Sequence, residues 1–265
     1  MRSFINKTII ITGSGKNIGK ATALAFLTAG ANVVINARSK EELDANRLEF
    51  EDRGFHPLAI VADVTKVSDC KLLVQLAVES FGRIDCLINN VGLSMRGRFE
   101  NLSPEIFPEI VNANLLTAVY STQAVLPEII KTKGSIVFIS SIAAIHGIPN
   151  ISPYSVAKMG LDALAGSLRI ELARYKVHIG LLHVGLVRNY PGKKVLGHDG
   201  SYIPVSRKGH QSVEDVARAV LRMVRRRRSV MTLTLIGKAL YFLEKISPSL
   251  VHYGLKLTQN WGTYK

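Results

Sequence analysis

Along the chain, short apolar runs alternate with segments whose apolar positions recur every three or four residues. The runs IIIT, NVVINA, LAIVAD, CLINN, SIVFIS, HIGLLHV and VMTLTL have strand length and are rich in β-branched residues. Between them, helical periodicity covers 18–29, 40–53, 67–81, a long stretch at 103–131, then 152–175 and 212–225. Strands that are apolar throughout are buried on both faces. This order therefore predicts an α/β protein: a doubly wound, mainly parallel sheet flanked by helices, with right-handed crossovers. In such sheets ligands gather at the carboxyl ends of the strands, near the point where strand order reverses. Asn36 to Ser39, Asp63, Asn89, Asn90 and Ser141 fall at strand ends and mark the expected site.

Composition narrows the picture. At 265 residues, with 47% hydrophobic and 20% charged residues, the chain has the size and balance of one large α/β domain. The expected division is a catalytic domain over 1–235, carrying a lid at about 190–211, followed by an apolar tail over 236–265. Two cysteines, Cys70 and Cys86, are too few for a disulfide framework and point to a reducing, cytoplasmic setting. The amino terminus runs into the first strand almost at once, so no separate signal peptide is expected. No apolar run approaches the length of a membrane span.

Residues 12–22 read TGSGKNIGKAT, placed between a strand and a helix, where unpaired N–H groups and the helix dipole favour a phosphate. A nucleoside-triphosphate loop needs G-x-x-x-x-G-K-[ST]. Here Ala21 follows Gly19 and Lys20, and Ser14 stands where the first glycine belongs, so that reading fails at two positions. Gly13, Gly15 and Gly19 can supply the turn, the close approach and the small packing residue of a dinucleotide loop, although the spacing is not G-x-G-x-x-G. A plain strand-to-helix turn is the alternative. In YSVAK, Tyr154 and Lys158 are four residues apart and share one helix face. A free tyrosine titrates near 10, so it exchanges protons poorly at neutral pH unless a cation stabilises its phenolate, and Lys158 is placed to do so. Taken alone, the pair also fits a solvated helix face.

Several motifs then agree. TGSGKNIG, ADV at 62–64, NNVG at 89–92, NANL at 112–115, ISS at 139–141 and YSVAK at 154–158 together resemble a short-chain dehydrogenase/reductase of the classical type. The resemblance runs from about residue 5 to 190 in order and spacing, with Ser141 13 residues before Tyr154. It implies a Rossmann-type fold and a nicotinamide cofactor. It implies Tyr154 as general acid, Ser141 as hydrogen-bond donor to the reacting oxygen, and Lys158 as partner of both the tyrosine and the nicotinamide ribose. Asn114 is to kink its helix and position a water that links Lys158 to solvent. The implied cofactor contacts are Gly13, Gly15, Lys16, Asn17, Ile18 and Gly19 at the first turn. Further along they are Arg38 and Ser39, Asp63 and Val64, Asn90 and Gly92, with Val187 beside Tyr154 and Lys158 at the nicotinamide end. No metal is implied.

NAD-specific relatives place an acid at the end of the second strand; here Ala37 stands there, followed by Arg38 and Ser39. Arg38 suits a 2′-phosphate, and Lys16 adds a second cation, so NADP(H) is the expected cofactor. Three positions depart from the family pattern. Asn17 replaces the middle glycine of the loop, and in VGLVRN, Val184 replaces a proline and Asn189 a threonine.

The charge of +14 is concentrated late: from Arg188 onward there are fifteen lysines and arginines against four acids. RRRR at 225–228 reads as a solvated helix end. The apolar tail either packs as a helix on its own or a sister subunit, or lies in a membrane interface with Tyr241, Phe242, Tyr253 and Trp261 in the apolar layer and arginines against anionic lipid. Nucleic acid is not an expected partner, because the basic run lacks interleaved aromatics. SLRIELARYKVHIG resembles the steroid and keto-lipid branch of the family. The expectation is an NADP(H)-dependent carbonyl reductase or alcohol dehydrogenase for a lipophilic substrate. It is expected to be a dimer or tetramer through the helices at 103–131 and 152–175, with a peripheral membrane contact through the basic carboxyl-terminal region. A soluble 3-oxoacyl-thioester reductase and a cofactor-binding scaffold with weak turnover are the rivals.

Overall fold

The computed structural model describes residues 4–188, 192–205 and 209–258. Asn189, Trp261 and the lid residues 190–191 and 206–208 lie outside these, so the expectations placed on them are not met or missed here.

Seven strands form one parallel sheet: β1 (Thr8–Ile11), β2 (Asn32–Ala37), β3 (Leu58–Val61), β4 (Cys86–Asn89), β5 (Ser135–Ser141), β6 (His178–Val184) and β9 (Val230–Thr232). Their order is β3-β2-β1-β4-β5-β6-β9. The intervening β7 (Lys194–Leu196) and β8 (Tyr202–Pro204) pair as a separate antiparallel hairpin. Strand order reverses between β1 and β4, which opens a crevice at their carboxyl ends. This is the Rossmann-type arrangement, in one domain.

The apolar runs explain the layering. Successive side chains along a strand point to opposite faces. Ile9 and Ile11 therefore pack against α1 (Asn17–Thr28), α2 (Lys40–Glu51) and α7 (Val213–Arg226), in a core with Phe26, Phe50 and Met223. Ile10, Ile136 and Phe138 face the other way, onto α3 (Val67–Phe81), α5 (Thr117–Thr132) and α6 (Ser152–Glu171). Both cysteines are free and buried, one on α3 and one on β4.

The long stretch at 103–131 is not a single regular helix. It holds α4 (Ile106–Val111), a π-helical turn at Asn112–Leu116, and α5. After β9 come two further helices, α8 (Leu235–Ile246) and α9 (Pro248–Thr258), so the division drawn at 235/236 falls at the first turn of α8. Among the described residues no helix is long and apolar enough to cross a membrane.

Candidate active site

Every catalytic and cofactor-contact residue that the resemblance implies lines one cleft of about 1010 Å³ at the carboxyl edge of the sheet, whereas Asn89 is turned into the core, donating to the Thr122 hydroxyl. The floor of the cleft at the amino-terminal side is the glycine loop between β1 and α1. Gly13 takes a left-handed φ of 63°, and a Cβ at Gly19 would stand 2.3 Å from the Gly13 carbonyl oxygen. Only glycine fits there. Asn17 also adopts a left-handed φ, 51°, so the residue replacing the family's glycine reproduces the backbone that glycine would take. Asn90 braces the loop from β4, its side-chain amide donating to the carbonyls of Thr12 at 3.1 Å and Gly13 at 2.9 Å.

At the end of β2, Arg38 is exposed and Ser39 caps α2 by accepting from the Glu42 backbone N–H. Asp63, just past β3, accepts from the backbone and hydroxyl of Thr65. Partial burial opposes its charge, but those hydrogen bonds, with Arg38 and Lys66 nearby, hold the carboxyl below its usual range. The sequence reading missed Glu42. Its carboxylate lies 2.8 Å from where a Gly15 Cβ would be and pairs with Lys16 at 3.0 Å, so the second expected cation is already engaged by an acid. The lone signal was its place in the first turn of α2, a site that favours acids for reasons unrelated to ligands.

The opposite end of the cleft is drier. Lys158 is only 4% exposed and donates to the Ile139 carbonyl at 3.0 Å. Burial pushes its pKa down to about 8, and the carboxylate of Asp162, one turn further along α6, resists the fall. Its ammonium lies 5.6 Å from the centre of the Tyr154 ring. Asn114 sits in the π-helical turn, 1% exposed, donating to the carbonyls of Leu93 and Ile110, both at 2.9 Å. Its Oδ1 is buried with no donor among the described residues. A Cβ on Gly92 would fall 2.8 Å from that oxygen and 3.5 Å from the Lys158 ammonium, so Asn114 and Lys158 converge on one point beside the loop after β4. Ser141 ends β5 and accepts from the Ala143 N–H. Behind the site, Ser140 and His183 both bond Asp162, at 3.1 and 2.7 Å, and fix the carboxylate that faces Lys158. Neither partner was singled out from the sequence, because their contact spans three elements.

The outer part of the cleft mixes apolar side chains with charged ones, Arg96, Glu109 and Lys194. Leu93, Met95, Ile148, Ile151 and Val195 line it, backed by Ile106 and Ile110. The β7–β8 hairpin lies against it through Arg96 N–H to Leu196 O at 2.8 Å and Leu196 N–H to Ser94 O at 3.0 Å. These two short strands lie inside the segment expected, at about 190–211, to form a lid.

A family model described as short chain dehydrogenase matches residues 7–195, and the chain belongs to that family. Fold and family together define an oxidoreductase of the short-chain dehydrogenase/reductase class. A dehydrogenase/reductase SDR family protein 7-like chain from Anopheles gambiae is 30% identical over 96% of this chain and 84% of its own. An 11-beta-hydroxysteroid dehydrogenase-like 4A from Arabidopsis thaliana is 31% identical over 92% of this chain and 82% of its own. Among solved structures, a Burkholderia phymatum short chain dehydrogenase/reductase in complex with NAD superposes with a TM-score of 0.83, over 94% of this chain and 96% of that one, at 19% identity. A Thermococcus sibiricus alcohol dehydrogenase complexed with 5-hydroxy-NADP does so at 0.75, over 86% and 95%, at 26% identity. The structural relatives thus include both NAD and NADP-type complexes.

Proposed function

We propose that this protein is an NADP(H)-dependent carbonyl reductase or alcohol dehydrogenase for a lipophilic substrate of the steroid or keto-lipid class. The observation that carries the reading is Lys158, a buried ammonium with its pKa pushed down to about 8, one helical turn from Tyr154 at the floor of the cleft.

The residues present suit a dinucleotide. Gly19 leaves no room for a Cβ, α1 offers its amino-terminal N–H groups, and Asn114 Oδ1 is a buried acceptor without a donor among the described residues. Bound nicotinamide would supply the hydride for a carbonyl carbon or take it from a carbinol. Gly13, Gly15, Asn17, Ile18 and Gly19 would hold the pyrophosphate, and Asp63 and Val64 would border the adenine end. Asn90, Gly92 and Val187 would flank the nicotinamide half. Arg38 and Ser39 would take a 2′-phosphate. The absence of an acid at Ala37 supports that choice, as does the NADP-type ligand of the 26% identical alcohol dehydrogenase. Glu42 works against it and must release Lys16 when a phosphate arrives.

In reduction, the Tyr154 hydroxyl donates its proton to the carbonyl oxygen, and the Ser141 hydroxyl donates a hydrogen bond to the same atom. The Lys158 ammonium favours the resulting phenolate. Asn114 Oδ1 accepts from a water that returns the proton. The apolar residues Leu93, Met95, Ile148, Ile151 and Val195 in the cleft and the steroid name carried by the 31% identical relative support a lipophilic substrate. Self-association through α5 and α6 belongs to the same reading, with Val156, Met159 and Ile170 exposed on α6. The test is consumption of NADPH and of NADH by the purified protein against steroid, sphingoid and acyl-thioester ketones, with Tyr154→Phe alongside. Tyr154-dependent turnover of the lipid ketones with NADPH is expected. Turnover of acyl-thioesters alone, or NADPH binding with no Tyr154-dependent turnover of any ketone, overturns the reading.

A further inference from the structure

Helices α8 and α9 wear their apolar stripes on the outside. The inward side of α8 is Gly237, whose missing Cβ lets the helix rest on Ile142 and Thr232, with Tyr241 beside the His183 ring at 5.8 Å and Glu244 bonded to His146 at 3.0 Å. One hundred degrees per residue then sets Leu235, Phe242 and Ile246 on the opposite side, and they are 82%, 64% and 64% exposed. In α9, Val251 turns inward at 6% exposure while Leu250, Tyr253 and Leu257 are each more than 60% exposed. A helix in a water-soluble fold buries its apolar stripe. Two consecutive helices that expose theirs are built for a surface that the described residues do not supply.

Charge identifies that surface. Lys238 and Lys245 flank the apolar stripe of α8, and Lys256 flanks that of α9. The one acid in the two helices, Glu244, is turned in to His146. A second copy docked on the same face would set lysines against lysines with no outward carboxylate to meet them. A bilayer surface with anionic headgroups supplies apolar depth and negative charge together. The place in the fold agrees. Helix α8 rests through Gly237 on the turn at Ile142–Ala144, and Ile142 lines the cleft, so α8 adjoins the substrate cleft. The arginine run does not belong to this surface. Arg227 donates to the carbonyls of Lys133 and Lys176 at the amino edge of the sheet, whereas α8 departs from the carboxyl edge.

We infer that α8 and α9 dock this protein on an anionic lipid surface, their outward apolar face in the interface and Lys238, Lys245 and Lys256 against the headgroups. Delivery of substrate to the adjoining cleft rests on the lipophilic reading above; the docking itself does not, and its test needs no turnover. The full chain is sedimented with phosphatidylcholine vesicles and with vesicles containing phosphatidylglycerol, and its oligomeric state is measured by light scattering without lipid. Binding to the anionic vesicles is expected, with at least about fivefold less to the neutral ones. Phe242→Ser with Leu250→Ser, and separately Lys238→Glu with Lys245→Glu, are each expected to weaken it about tenfold or more while leaving the circular dichroism and melting temperature unchanged. Three results overturn the inference: no binding to either vesicle, equal binding to both, or a wild-type dimer that the Phe242→Ser, Leu250→Ser variant dissociates while vesicle binding is unaffected.

Discussion

The two ends of the cleft are built on opposite electrostatic terms. At the end that holds Tyr154, Lys158 and Asn114 are buried and fixed by backbone, Lys158 on the Ile139 carbonyl and Asn114 on those of Leu93 and Ile110. At the end of β2 the ions are exposed, with the Lys16 and Glu42 side chains 59% and 41% accessible. A charge in a dry site interacts strongly and cannot readjust, whereas an exposed pair is screened and contributes little. The first end is suited to setting a proton's affinity, and the second to being retuned by one side chain.

The sharpest way to break this contrast is to remove groups from the dry end. Tyr154→Phe is expected to lower turnover about 10³-fold while NADPH binding, followed by its fluorescence, stays within about twofold. Next comes Lys158→Met. It is expected to cost about 10²-fold or more in kcat and to raise the thermal midpoint, because it removes a buried ammonium whose folded-state pKa lies below its unfolded value. The sign follows from proton uptake. The unfolded chain binds this proton more tightly, so the penalty is full below about pH 8 and fades as pH rises towards the ordinary lysine value of 10.5. Lys158→Met should therefore stabilise by on the order of 2 kcal/mol at pH 7 and by much less near pH 10, read by thermal melts at both. A melting temperature that falls at pH 7 would contradict this.

Between the two ends, Gly19→Ala would press a Cβ onto the Gly13 carbonyl. A loss of stability of about 1–3 kcal/mol, together with weaker binding of NADPH and NADH alike, is expected from melts and titrations. The smallest effect belongs to the exposed end. Glu42→Gln frees Lys16 and should lower the NADPH dissociation constant about threefold with NADH little changed. An equal change for both cofactors would remove Glu42 from any part in cofactor choice.

Much of this was legible along the chain, and the limits are physical. Helix α7 shows why pattern suffices when the chain supplies both surfaces: Val216, Val220 and Met223 recur at helical spacing and are fully buried against β6 and α1, and the Ser212–Asp215 capping box marks its start. Helix α8 has the same kind of spacing, yet its apolar side faces outward, because periodicity defines a stripe and not what covers it. Asn17 departs from the family pattern by residue type only; its left-handed backbone needed the fold to be seen. Asp162, His183 and Ser140 meet across α6, β6 and β5, and Glu42 reaches Lys16 from a neighbouring helix, so no local spacing announces either group. The π-helical turn that sets Asn114 likewise has no periodic mark in an otherwise regular helical stretch.

The central claim is that a buried Lys158 ammonium governs proton transfer at Tyr154, and the pH dependence of NADPH-linked ketone reduction tests it most directly. The account predicts kcat/KM that is level through neutral pH and falls above about 8 as Lys158 loses its charge, with the break moved lower in Asp162→Asn, which removes the carboxylate holding that pKa up. A profile level to about pH 10, or a break that Asp162→Asn leaves in place, would contradict it.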